Sequence, residues 1–169
     1  MTEPFRRAEL PVEGRVDDLL SRLTLEEKVG QLTQFFHLGI EVPEGLDLDT
    51  LPPEQRAYAE QPKIVEAAIR GGGTGSVLFV KDPATANRMQ RLAVEGSRLG
   101  IPLIFGFDVV HGIRTIFPVP LALAATWSTQ IIEAAQSAAA HEARAVGIHW
   151  TFAPMVDIAR DARWGRIIE

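Results

Sequence analysis

Asp108, His111 and Arg114 stand close together directly behind an apolar run, Pro102-Leu103-Ile104-Phe105-Gly106-Phe107. A fixed carboxylate accepts hydrogen bonds from neighbouring hydroxyls, and charge-assisted bonds of this kind are worth about 1.5–3 kcal/mol each. Adjacent sugar hydroxyls suit Asp108 on that ground. The structural alternatives for Asp108 are a helix cap or a partner for Arg114. Farther along, Arg160-Asp161-Ala162-Arg163-Trp164-Gly165-Arg166 gathers three guanidinium groups around a tryptophan. A guanidinium presents its donors in a planar fork and an indole offers an apolar face, so together they match the hydroxyl rim and CH face of a sugar. An Asp161–Arg salt bridge that only shapes the loop is the competing reading for Arg160 and Arg163.

Other candidates carry less. His111 has no carboxylate or serine partner in its sequence neighbourhood, which favours a loop-bracing hydrogen bond over proton shuttling. His37, His141 and His149 are scattered and fit no metal-binding spacing, so neither a metal nor a cofactor is expected. Gly71-Gly72-Gly73-Thr74-Gly75 precedes a strand and lacks the Gly-Lys-Ser/Thr ending of a phosphate loop, which makes it a helix-to-strand turn. Trp127, Trp150 and most phenylalanines are expected in the core. A small lyase or isomerase using Lys81 or His111 is a further reading, with a Schiff base on Lys81 as its signature.

These residues need a frame. Val16, Leu19, Leu20 and Leu23 share one helical face over residues 13–23, and Thr24-Leu25-Glu26-Glu27 forms a capping box that opens a second helix with Leu25, Val29 and Leu32 inward. Residues 38–62 are rich in Pro, Gly, Asp and Glu and read as a surface loop with room for one helical turn. Helical spacing resumes over 62–70 and stops at Gly71. An apolar strand follows at 76–80. Asp82-Pro83 then caps a helix over about 84–99. A second strand spans 102–107, a loop 108–120, a helix behind Ser128 about 129–146, and a third strand 148–153. Strands without polar alternation, separated by helices, predict a parallel sheet with helices on its faces. In such sheets the loops beyond the strands' carboxyl ends carry the chemistry, which is where Lys81, Asp108–Arg114 and Asp157–Arg166 fall.

Composition is ordinary for a soluble globular protein. The 169 residues are 46% hydrophobic and 23% charged, with no cysteine, so disulfides and thiolate chemistry are absent. The net charge of -5 is spread along the chain and offers no basic stripe, so neither nucleic acid nor membrane is an expected partner. The basic start, Arg6-Arg7, is not followed by an apolar run, which gives a cytoplasmic location as the expectation.

The stretches GFDVVHGIRTIFPVPLALAATWS and FAPMVDIARDARWGRIIE resemble the N-terminal domain of family 3 glycoside hydrolases, in the β-glucosidase and exo-glucanase branch, and the likeness runs from about Leu19 to the last residue. The resemblance implies an α/β fold, the N-terminal part of a (β/α)8 barrel with about three βα units preceded by short helices. It implies a retaining, exo-acting β-glucosidase whose partner is a β-glucoside or β-glucan oligosaccharide, with β-xylosidase as the neighbouring activity. By the same comparison Asp108 and Arg166 bind the nonreducing terminal sugar and Glu169 braces the site, with His111 and Arg114 expected behind the two binding residues as supports. Ala162 replaces the proline common in the family. Nothing matches the family's lysine-histidine pair, its nucleophilic aspartate or its acid/base glutamate. A whole barrel takes about 250 residues and eight strands, so this sequence is expected to supply only its first part, or else to be a noncatalytic sugar-binding or structural fragment. An incomplete barrel leaves unpaired edges and an uncovered apolar face.

Overall fold

The computed structural model describes residues 3–38, 42–43 and 45–166. Two helices open the chain, Val12–Arg22 (α1) and Leu25–Leu32 (α2). The capping box at α2 is complete: the Glu27 amide donates to the Thr24 hydroxyl at 3.2 Å and the Thr24 amide to the Glu27 carboxylate at 2.9 Å. Arg98 reaches the same carboxylate from 2.9 Å through its Nε, which ties α2 to a residue 71 positions along the chain.

Four short strands, Gln34–Phe36 (β1), Ser76–Leu78 (β2), Ile104–Phe107 (β3) and Trp150–Thr151 (β4), form one parallel sheet in the order β1-β2-β3-β4. Between them run Pro53–Arg70 (α3), Pro83–Gly96 (α4), a single turn and a half at Pro120–Ala124 (α5), and Thr129–Ala145 (α6). Asp82 caps α4 by accepting the Thr85 amide at 2.8 Å, and Ser128 caps α6 by accepting that of Ile131 at 3.4 Å. The register sets Phe35, Val77 and Phe105 in one row. That row packs with Val65 and Ile69 of α3 and Met89 and Ala93 of α4 into the main core. A second core joins Val109 to Ala139 and Ala143 of α6 and to Ile148.

Strand, helix, strand in unbroken parallel order is the opening arc of a (β/α)8 barrel. Its edges are β1 and β4, each paired on one side among the described residues. Phe36, Ile104 and Trp150, on the face opposite the main core, remain about half exposed, at 48, 49 and 48%.

The structure corrects several expectations. The stripe of α2 faces out: Leu25, Val29 and Leu32 are 72, 56 and 89% exposed, while Glu27 and Gly30 are the buried residues. Anchoring by Glu27 sets the helix rotation, and Val16 and Leu20 of α1 are exposed with it. Residues 53–61, read as loop, are the first half of α3, which runs straight through Pro62. The proline leaves the Tyr58 carbonyl without its helical donor, and Tyr58 is exposed, so water can take that place. The strand β1 was not anticipated; three residues are too few for a period to register. Trp127 is 95% exposed, on a left-handed backbone with φ of 53°, and neither it nor Trp150 is a core residue.

Candidate carbohydrate-binding site

Asp108 is the first residue beyond β3, and its neighbours explain why it faces solvent. Val109 is buried in the second core and its amide turns back to the Phe107 carbonyl at 3.1 Å, so the chain bends sharply and leaves Asp108 outside. The Gln136 side chain, from α6, holds the Val110 carbonyl at 3.3 Å. Past that point the loop closes on itself. The Phe117 amide donates to the His111 carbonyl at 2.7 Å, and His111 Nδ1 lies 3.0 Å from the Phe117 carbonyl. Gly112 pairs with Ile116 at φ of 120°, where a side chain would strike the Thr115 carbonyl.

Glu142 of α6 fastens the outer limb of this loop. Its carboxylate accepts the amides of Arg114 and Thr115 at 3.1 and 2.7 Å and the Thr115 hydroxyl at 2.5 Å. The Thr115 side chain and then its amide hold the Glu142 carboxyl below its ordinary titration range.

Asp108, His111 and Arg166 line one open cavity of about 440 Å³. Its remaining walls are Val110, Val119, Pro120, Phe152 and Met155. A carboxylate that accepts, a guanidinium that donates and an apolar wall are the elements of a small polar-ligand pocket. The acid and the guanidinium, 58 positions apart in sequence (166 minus 108), meet because parallel β3 and β4 deliver both of their exit loops to the same end of the sheet.

The other candidates lie elsewhere. Arg114 lines a separate hollow of about 660 Å³ with Lys81, Phe107 and Glu142. Lys81 is exposed and outside the Asp108 cavity. Arg163 pairs with Asp161 at 2.6 Å on the exposed surface, the salt-bridged loop that was one of its two readings. That guanidinium also holds the Asp161 carboxyl below its usual range. Glu169 lies outside the described residues. Among the described residues no three of His, Asp and Glu gather closely enough to hold a metal ion, and no helix is long and apolar enough to cross a membrane. Sequence reasoning did not pick out Val119, Pro120, Phe152 and Met155 as walls. Phe152 and Met155 follow β4 directly, so their place at a strand's carboxyl end was the available signal.

A parallel βα arc whose carboxyl-end loops bring an acid and a guanidinium to one cavity has the layout of a segment of a (β/α) barrel. Comparison with known proteins sharpens the class. Residues 24–169 match the model of the glycosyl hydrolase family 3 N terminal domain, and the chain belongs to that family. It is 35% identical over 154 residues to a periplasmic beta-glucosidase of Salmonella typhimurium, a match covering 91% of this chain and 18% of that protein. A putative beta-xylosidase of Formosa agariphila is 32% identical over 176 residues, covering 99% of this chain and 22% of the relative. Among solved structures, a beta-glucosidase from Listeria innocua in complex with glucose superposes with a TM-score of 0.74 at 35% identity, over 93% of this chain and 21% of that one. The chain thus spans about a fifth of the length of the relatives it matches.

Proposed function

We propose that this chain is the opening part of a retaining, exo-acting β-glucosidase and that it supplies part of the pocket for the nonreducing terminal glucosyl residue. The observation that carries the proposal is the meeting of Asp108 and Arg166 in one open cavity. Asp108 accepts hydrogen bonds from outer hydroxyls of the sugar, Arg166 donates to the same ring, and Phe152 and Met155 face its apolar side. The β-glucosidases among the relatives, and the glucose held by the Listeria enzyme, support glucose as the sugar.

Retaining hydrolysis requires two carboxyl groups about 5–5.5 Å apart, a nucleophile and an acid/base. Asp108 is assigned to binding, so on this proposal both catalytic carboxyls, the rest of the barrel and a further domain come from chain beyond Glu169. Full-length enzyme should release the phenol from an aryl β-D-glucoside with retention at the anomeric carbon, and the isolated 169-residue chain should show no hydrolysis above background. Inversion, or no turnover by the full-length protein, would refute the assignment. The xylosidase relative motivates a second reading. An aryl β-D-xyloside cleaved faster than the glucoside would establish it.

A further inference from the structure

His111 is held at one ring nitrogen and open at the other. A carbonyl oxygen can only accept, so the 3.0 Å contact with Phe117 places the proton on Nδ1, and in the neutral ring Nε2 is then an acceptor. The paired backbone from His111 to Phe117 fixes the ring's base. Among the described residues the one buried side-chain nitrogen or oxygen without a partner is His37 Nδ1; Nε2 of half-buried His111 is not sealed away in this manner. His111 itself lines the cavity that holds Asp108 and Arg166.

We infer that His111 reads the bound sugar directly, with Nε2 accepting a hydrogen bond from one ring hydroxyl, an inference that rests on the glycosidase reading above. The three polar groups of the cavity then divide the work. Arg166 can only donate, Asp108 as a carboxylate can only accept, and neutral His111, held through Nδ1 by the Phe117 carbonyl, is a second acceptor. A hydroxyl that receives from the guanidinium still has its own O–H to donate, and His111 accepts one such hydrogen bond at a fixed place. A sugar lacking that hydroxyl, or carrying it methylated, gains nothing from His111. This makes the residue a specificity determinant as well as a brace.

The test uses full-length enzyme, p-nitrophenyl β-D-glucopyranoside and its monodeoxy analogues. In His111→Asn the amide sits at the Nδ1 position, keeping the bond to Phe117 and losing the outer acceptor. In His111→Gln the amide reaches the Nε2 position and leaves the brace. We expect His111→Asn to melt with the wild type yet lose about 5–10-fold in kcat/KM on the glucoside, the worth of one neutral hydrogen bond. The loss should vanish with the one analogue whose missing hydroxyl is the contacted one, and His111→Gln should recover sensitivity to that hydroxyl. An Asn variant equal to wild type on every substrate, or equal losses for both variants on all analogues, would overturn the inference while leaving the β-glucosidase reading in place. A wild-type enzyme inactive on the glucoside would overturn that reading, and the inference with it.

Discussion

Replacing Gly30 with alanine sets two opposed effects against each other within α2. Helix propensity favours alanine over glycine by about 1 kcal/mol. The added Cβ, however, would stand 2.1 Å from the Gly72 carbonyl oxygen and 2.9 Å from Gly73 Cα. Both are backbone atoms of the turn that leads from α3 into β2, and the Gly73 amide is tied to the Ala68 carbonyl at 2.8 Å, so no side chain can swing aside. Comfortable contact needs about 3.5 Å, which requires α2 and the turn to separate by more than about 1 Å. Overpacking of this kind costs about 1–3 kcal/mol, so after the gain in helix propensity the net effect is a destabilisation of up to about 2 kcal/mol. Gly14 in α1 is the internal control, because a Cβ there meets nothing within 4 Å. Gly14→Ala should therefore stabilise by about 0.5–1 kcal/mol. Urea denaturation of full-length enzyme, followed by tryptophan fluorescence, should move the two midpoints in opposite directions. A Gly30→Ala midpoint at or above the wild type would refute the close packing of α2 on the glycine turn.

Two further outcomes follow from charge and protonation. Glu27 is buried but its partner Arg98 is 53% exposed, so Glu27→Gln should cost about 1–2 kcal/mol in a denaturant titration, well short of the loss expected when a fully buried pair is broken. No measurable loss would show that the pair only decorates the capping box. Partial desolvation, and then the nearby Arg144 charge, hold the His149 imidazole below its ordinary pKa of 6.5, and its Nδ1 accepts the Phe105 amide at 3.1 Å. The unfolded chain takes up the proton first, so this contribution to stability is complete above pH 6.5 and lost as the pH falls through the lower folded value. His149→Gln should flatten the acid side of the stability profile, and a wild-type profile with the same slope as the variant below pH 6.5 would refute it.

Local signals in the sequence were legible where one side chain closes one nearby bond. Thr24 with Glu27, Asp82 and Ser128 are caps of this kind, and all three stand where their spacing put them. The parallel order was legible because strands 76–78 and 104–107 lack polar alternation. Features set by distant partners were not. The rotation of α2 depends on Arg98 meeting Glu27, and no helical period in residues 25–32 records that contact. Pro62 reads locally as a boundary, yet the helix passes through it because Ala59, Val65 and Ile69 share a buried face. At the site, Asp108 was marked by its position just past an apolar strand. Arg166 became prominent through the family's motif, since its sequence neighbours Arg160 and Arg163 offer the same chemistry. Only the return of the β4 loop separates them.

If the Asp108 carboxylate grips the terminal sugar as proposed, steady-state kinetics of Asp108→Ala in full-length enzyme, which removes both acceptor oxygens, should show it. Two charge-assisted hydrogen bonds at about 1.5–3 kcal/mol each predict a fall in kcat/KM of about 10²–10⁴-fold on an aryl β-D-glucoside, with melting unchanged because the side chain is exposed. Activity within about threefold of wild type, less than one hydrogen bond is worth, would show that Asp108 does not hold the sugar.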